Sequence, residues 1–103
     1  MKQLHKLWRK QFRESVFSRD NYKCKVCGST DELDAHHITD RHEMPNGGYV
    51  ESNGITLCPK HHMNAESFHI NNKTKWDDGF HPNDLYILIG SSYDIAYKNS
   101  LKL

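Results

Sequence analysis

Two pairs of metal-binding side chains at matching spacing constrain this chain more than any other feature. Cys24-Lys25-Val26-Cys27 and Cys58-Pro59-Lys60-His61 each leave two residues between ligands, and thirty residues separate the pairs. A Cys-x-x-Cys closed by Gly28 is a tight turn that aims both thiolates at one point, and Gly28 supplies the positive φ such turns favour. Together the pairs offer Cys24, Cys27, Cys58 and His61 as the four tetrahedral ligands of a closed structural zinc site. Such a site is worth about 10–16 kcal/mol in apparent terms. The chain has use for it. With 103 residues, 36% hydrophobic content and a mean hydropathy of −0.85, it can bury only roughly 60–65% of its unfolded surface.

Three cysteines cannot all pair, and Cys24 and Cys27 are too close in sequence for an ordinary structural bridge. Reduced, metal-binding cysteines are expected, and with them a cytoplasmic location. No stretch approaches the roughly 18 apolar residues of a membrane span, and Met1-Lys2-Gln3-Leu4-His5-Lys6 has no signal-peptide core, so no membrane partner is expected. The net charge of +1 conceals an asymmetry. Residues 1–25 carry eight basic residues (Lys2, Lys6, Arg9, Lys10, Arg13, Arg19, Lys23, Lys25) against Glu14 and Asp20, a net +6, which leaves −5 for the remainder. A basic arm on a mildly acidic body suits a polyanion, although a solvated helix face would look the same.

Leu4, Leu7, Trp8, Phe12 and Val16 recur at helical spacing and predict an amphipathic helix over 3–18. Arg19-Asp20-Asn21-Tyr22 breaks it. Leu33–Ile38 reads as a short strand, Met44–Gly48 as a loop, Ile55–Leu57 as a second strand, and Pro59 opens a helix to about Phe68. Pro82-Asn83-Asp84-Leu85 and Ser91-Ser92-Tyr93-Asp94 look like helix starts. Two C-terminal helices would then pack Leu85, Leu88, Ile89, Tyr93, Ala96 and Tyr97, with a strand over Tyr86–Ile89 as the alternative. The expected fold is α+β in one domain, 1–103: a basic helix (1–18), a zinc-stapled ββα core (19–69) and a helical extension (70–103).

A closed zinc site leaves His36, His37, Asn53 and His62 unused, all held near it by sequence. Side chains alternate along a strand, so a twist or bulge would be needed for His36 and His37 to serve one site. Asp34-Ala35-His36-His37-Ile38 and Asn53-Gly54-Ile55-Thr56-Leu57-Cys58-x-x-His61-His62, following Cys24-x-x-Cys27, resemble the HNH endonuclease motif over roughly residues 19–69, a ββα-metal or His-Me finger fold. The segments on either side resemble, more weakly, those of small phage and bacterial members. The resemblance implies His37 as general base and His36 and His62 as ligands of a catalytic divalent cation (Mg²⁺, Mn²⁺, Ni²⁺ or Zn²⁺). It implies that Asn53 holds the His37 ring through its backbone or its side chain. Glu66, one turn after His62, is a candidate third ligand or supporting partner. His61 stands where the family usually has Cys, so a swapped register, with His62 on zinc and His61 catalytic, is the alternative. His5, His42, His69 and His81 lack such support, although His69 at the helix end could reach metal or phosphate. Trp8 and Trp76 read as packing residues.

The expected function is therefore metal-dependent DNA cleavage of low sequence specificity, with the basic helix on the phosphate backbone and activity rising through the imidazole range of pH. Two alternatives stay open. One is a catalytically silent zinc module for nucleic acid or protein. The other is a nuclease subunit switched on by a phage or bacterial protein partner.

Overall fold

The computed structural model describes residues 2–103; Met1 and the side chains of Lys2 and Gln3 lie outside the described residues. Helix α1 (Lys2–Arg19) is followed by strand β1 (Asp34–His37), three short 3-10 turns, and strand β2 (Gly54–Leu57). Helix α2 (Pro59–Ile70), α3 (Pro82–Leu88) and α4 (Tyr93–Leu101) complete the chain. The strands pair antiparallel with Asp34 opposite Leu57 and His37 opposite Gly54. No bulge interrupts them, so the distortion expected for the two histidines is absent.

Only half of α1 behaves as its periodicity predicts. Phe12 and Val16 are buried, whereas Leu4 and Leu7 stay 41% and 49% exposed. Its buried half presses on β2 at Gly54. A Cβ there would lie 2.4 Å from Val16 Cγ2 and 2.7 Å from Phe12 Cε1, so the close approach needs glycine. The helix stops where Asn21 and Tyr22 take φ values of 56° and 55°. The knuckle follows, with Gly28 at φ 79° and its N–H donating to the Cys24 carbonyl at 2.8 Å. Lys25 N–H donates to Thr56 O at 2.9 Å, which ties the knuckle to β2.

Arg19 belongs to this joint rather than to the basic arm. Its guanidinium donates bidentately to Asp20 at 2.9 and 2.7 Å, and to the carbonyls of Glu51 and Gly54 at 2.8 Å each. Asp20 in turn accepts the Thr56 N–H at 3.0 Å. Burial alone would raise the Asp20 carboxyl; the Arg19 guanidinium and the Thr56 N–H outweigh it and hold the group below its ordinary value. The pair thus stabilises the fold above the acid range and loses its effect as pH falls through that lowered pKa. Asp20→Ala is expected to cost about 3 kcal/mol, since it strands a partly buried guanidinium and an unpaired strand N–H. Urea unfolding of the two proteins at neutral pH measures this, and a difference below about 1 kcal/mol would refute it.

The core gathers Ile38, Met44, Ile55, Leu57, Ala65, Leu85, Tyr86 and Ala96 beside Cys24 and Cys58. Tyr86–Ile89 is not a strand: Tyr86–Leu88 complete α3 and Ile89 caps it. The expected packing of the extension also needs correction. Leu88, Tyr93 and Tyr97 are exposed, while Tyr86 is buried because its hydroxyl reaches an internal partner, donating to Asn53 Oδ1 at 2.7 Å. Ser92, one residue later than the predicted cap, accepts the Ile95 N–H at 3.2 Å. Ser91 instead donates to Ser52 O at 2.9 Å, docking the extension on the loop before β2. His81, to which the sequence gives no role, caps α3 by accepting the Asn83 N–H. Trp76 is 48% exposed and packs only at its edges, against Phe68 and His81.

Candidate metal centres and active site

Two clusters of ligand atoms lie on either side of the start of α2. In the first, Cys27 Sγ and Cys58 Sγ are 3.8 Å apart, Cys24 Sγ and His61 Nδ1 3.7 Å, and Cys58 Sγ and His61 Nδ1 3.3 Å. Bond lengths of about 2.3 Å to sulfur and about 2.0 Å to nitrogen give a tetrahedron with edges of roughly 3.5–3.8 Å. The donor set and its spacing fit a zinc ion. Cys58 is the residue preceding α2 and Pro59 its first helical position, so the helix begins at the cluster. Burial alone would raise the Cys24 thiol. Backbone N–H groups of Cys58, Cys27 and Val26 and the His61 ring outweigh it and bring the thiol down to about 6, which favours the thiolate a metal requires.

The second cluster is His36, His62 and Glu66, whose ligand atoms all lie within 4.8 Å of one another. The structure therefore groups His61 with the thiols and His62 with His36, the first of the two registers the sequence allowed. His36 Nδ1 is 3.2 Å from Glu66 Oε1, and His62 Nε2 is 3.4 Å from the same oxygen. Hydrogen bonding from His36 holds the Glu66 carboxyl down at about 2. Burial lowers the His36 imidazole, so it is neutral at pH 7, and its Nε2 is buried without a hydrogen-bond partner. An ionised carboxylate, two imidazoles and one orphaned ring nitrogen make a donor set for a divalent cation, open to a cavity of about 370 Å³.

His37 occupies the opposite side of β1. Its ring stacks on Phe12 with centroids 4.3 Å apart and meets Tyr49 edge-on at 5.0 Å. It nevertheless lines the same cavity as His36, His62 and Glu66, at the last residue of β1. Its Nε2 is also buried without a partner. Burial, with the neighbouring His36, pushes the His37 imidazole down to about 4. The sequence-based expectation of a transition through the ordinary imidazole range is corrected by this: the ring is already neutral at pH 5 and above.

Asn53 is fully buried, and its side-chain hydrogen bonds run elsewhere than the His37 ring. Oδ1 accepts from Thr39 N–H at 3.0 Å and from the Tyr86 hydroxyl. Nδ2 donates to the carbonyls of Thr39 at 3.1 Å and Gly48 at 3.2 Å. Its own carbonyl accepts the Ile38 N–H at 2.9 Å. Asn53 thus fixes the chain just after His37 and folds the following loop back on itself.

Local sequence pattern gives no role to Asp34, which the structure sets at the cavity wall with Oδ2 3.4 Å from His62 Nδ1. Strand alternation is the signal that could have found it, since Asp34 and His36 share a face. His69 also lines the cavity, its ring 5.5 Å from His36. Arg41 and Tyr49 have no local signal at all.

A paired strand hairpin followed by a helix, with metal-binding side chains at their junction, defines a ββα-metal domain. Residues 24–68 match the model of the HNH endonuclease family. No curated protein and no solved structure matches the chain. No helix among the described residues is long and apolar enough to cross a membrane.

Proposed function

We propose that this chain is a DNA endonuclease of low sequence specificity that hydrolyses phosphodiester bonds with a divalent cation. His37 is its general base, and Cys24, Cys27, Cys58 and His61 hold a structural zinc. The observation that carries this reading is the shared cavity: a neutral, half-buried His37 faces the same space as His36, His62 and Glu66.

His36, His62 and Glu66 hold the cation, which when bound offsets charge on the phosphate and on the departing oxygen. His37 takes the proton of the attacking water at a ring nitrogen while the water oxygen bonds to phosphorus. The P–O3′ bond breaks and the leaving oxygen takes a proton from solvent, giving a 5′-phosphate and a 3′-hydroxyl. Phe12 and Tyr49 keep the His37 ring from rotating, and Asn53 fixes the end of its strand, so the base is set before substrate arrives. Asp34 supports His62 from behind. Lys6, Arg9, Lys10 and Arg13, all exposed on α1, bind backbone phosphates without reading sequence.

Plasmid cleavage by zinc-loaded protein with added Mg²⁺, Mn²⁺, Ni²⁺ or Co²⁺ tests the proposal. Nicking or linearisation is expected only with a second divalent ion. Because the His37 pKa is lowered, its base form persists above pH 5 and cleavage should fade only as pH drops through about 4–5. A bound cation beside His36 acts in the same direction. Inertness with every metal, alongside intact DNA binding, would leave the chain a silent zinc module.

A further inference from the structure

His37 lines two cavities, and the metal-binding side chains account for one. The other, about 330 Å³ on the α1 side of β1, is walled by Arg9, Arg13, Arg41, Phe12 and Tyr49. Arg9 and Arg13 lie one helical turn apart on α1, and Arg41 enters from the 3-10 turn Arg41–Glu43. The ion pairs among the described residues involve neither Arg9 nor Arg41; Arg41 Nη1 meets only the Tyr49 hydroxyl, at 3.5 Å. Arg13 is aimed by Asp34 Oδ1 at 3.2 Å and lies over the Phe17 ring. Three arginines from two separate elements therefore line one concavity, and among the described residues Asp34 is the one carboxylate paired to any of them.

We infer that this cavity is a second phosphate subsite, holding a phosphodiester group adjacent to the one being cut. Guanidinium forks match phosphate oxygens bidentately. The two cavities share His37 as a wall. A strand with one phosphate among the imidazoles and its neighbour among the arginines passes directly over the base. This inference rests on the nuclease reading and adds to it the path of the strand. It also gives Arg41, well outside the basic N-terminal segment, a role in binding.

The test is fluorescence anisotropy of a short labelled duplex with zinc-loaded protein, without a second metal, over a NaCl series. Removing one arginine–phosphate pairing should flatten the slope of log Kd against log salt by about 0.9. Arg9→Gln with Arg41→Gln is expected to show that flattening for each arginine. Arg9→Lys with Arg41→Lys should keep most of the slope, which separates charge from misfolding. Lys98→Gln, on the exposed side of α4, should leave the slope as it is. Arg13 is left intact because it also holds Asp34. An unchanged slope in the double Gln variant, while wild type still cuts plasmid, overturns the subsite and spares the nuclease. Displacement of the duplex by acetate as readily as by inorganic phosphate at matched ionic strength also overturns it, since the pocket would then be a general anion site. An arginine-dependent slope in a chain that cuts nothing upholds the phosphate site and removes the nuclease.

Discussion

His37→Ala is expected to slow metal-dependent plasmid cleavage by about 10²–10⁴-fold, the usual contribution of a positioned general base, with DNA affinity little changed. The size follows from how completely the base is prepared. The ring is neutral, half-buried, stacked on Phe12, and lines the cavity that His36, His62 and Glu66 face. Truncation also removes the Phe12 stack, worth about 1 kcal/mol, so the variant should remain folded and its thermal melting should confirm that. Added imidazole should restore part of the rate, because the pocket left by the ring can admit a free one. A rate within about threefold of wild type in a folded variant would show that water is deprotonated by some other group.

The second large effect concerns the thiolate cluster. Cys27→Ala is expected to abolish cooperative folding at neutral pH, and a strong chelator should do the same to the wild-type chain. Closed zinc sites of this kind contribute about 10–16 kcal/mol in apparent terms, against a total stability of about 5–15 kcal/mol for a domain. Cys27 is the informative ligand because it is exposed. Its truncation leaves no core void, unlike that of Cys58, so loss of structure would report the metal and not the packing. Far-ultraviolet circular dichroism with metal analysis reads the outcome: one tightly held zinc in wild type, none in the variant, and helical signal lost with it. A folded, metal-free Cys27→Ala protein would make the cluster dispensable.

Much of this molecule is legible along the chain. The two ligand pairs, Cys24/Cys27 and Cys58/His61, are local spacings, and the structure brings all four together. The same spacing chose His61 over His62 for the thiolates. Alternation along β1 places Asp34 with His36 and Ala35 with His37, although nothing in the local pattern marks Asp34 as part of the site. Where local pattern fails, a distant partner decides the matter. Leu88, Tyr93 and Tyr97 carry helical periodicity yet stay exposed, while Tyr86 goes inside because Asn53, 33 residues away, accepts its hydroxyl. Arg19 reads along the chain as part of a basic arm, but Asp20 and the carbonyls of Glu51 and Gly54 claim its guanidinium.

By itself, then, the sequence determined the paired Cys and His spacings and the order strand–strand–helix, because each is a relation between residues a few positions apart or repeats one such spacing. Tertiary structure alone decided that Gly54 admits Phe12 against His37, that burial lowers the His37 imidazole to about 4, and that Arg41 joins Arg9 and Arg13 around one pocket. Those properties depend on which surfaces exclude water and which charges meet through space, and neither is encoded in any single stretch of the chain.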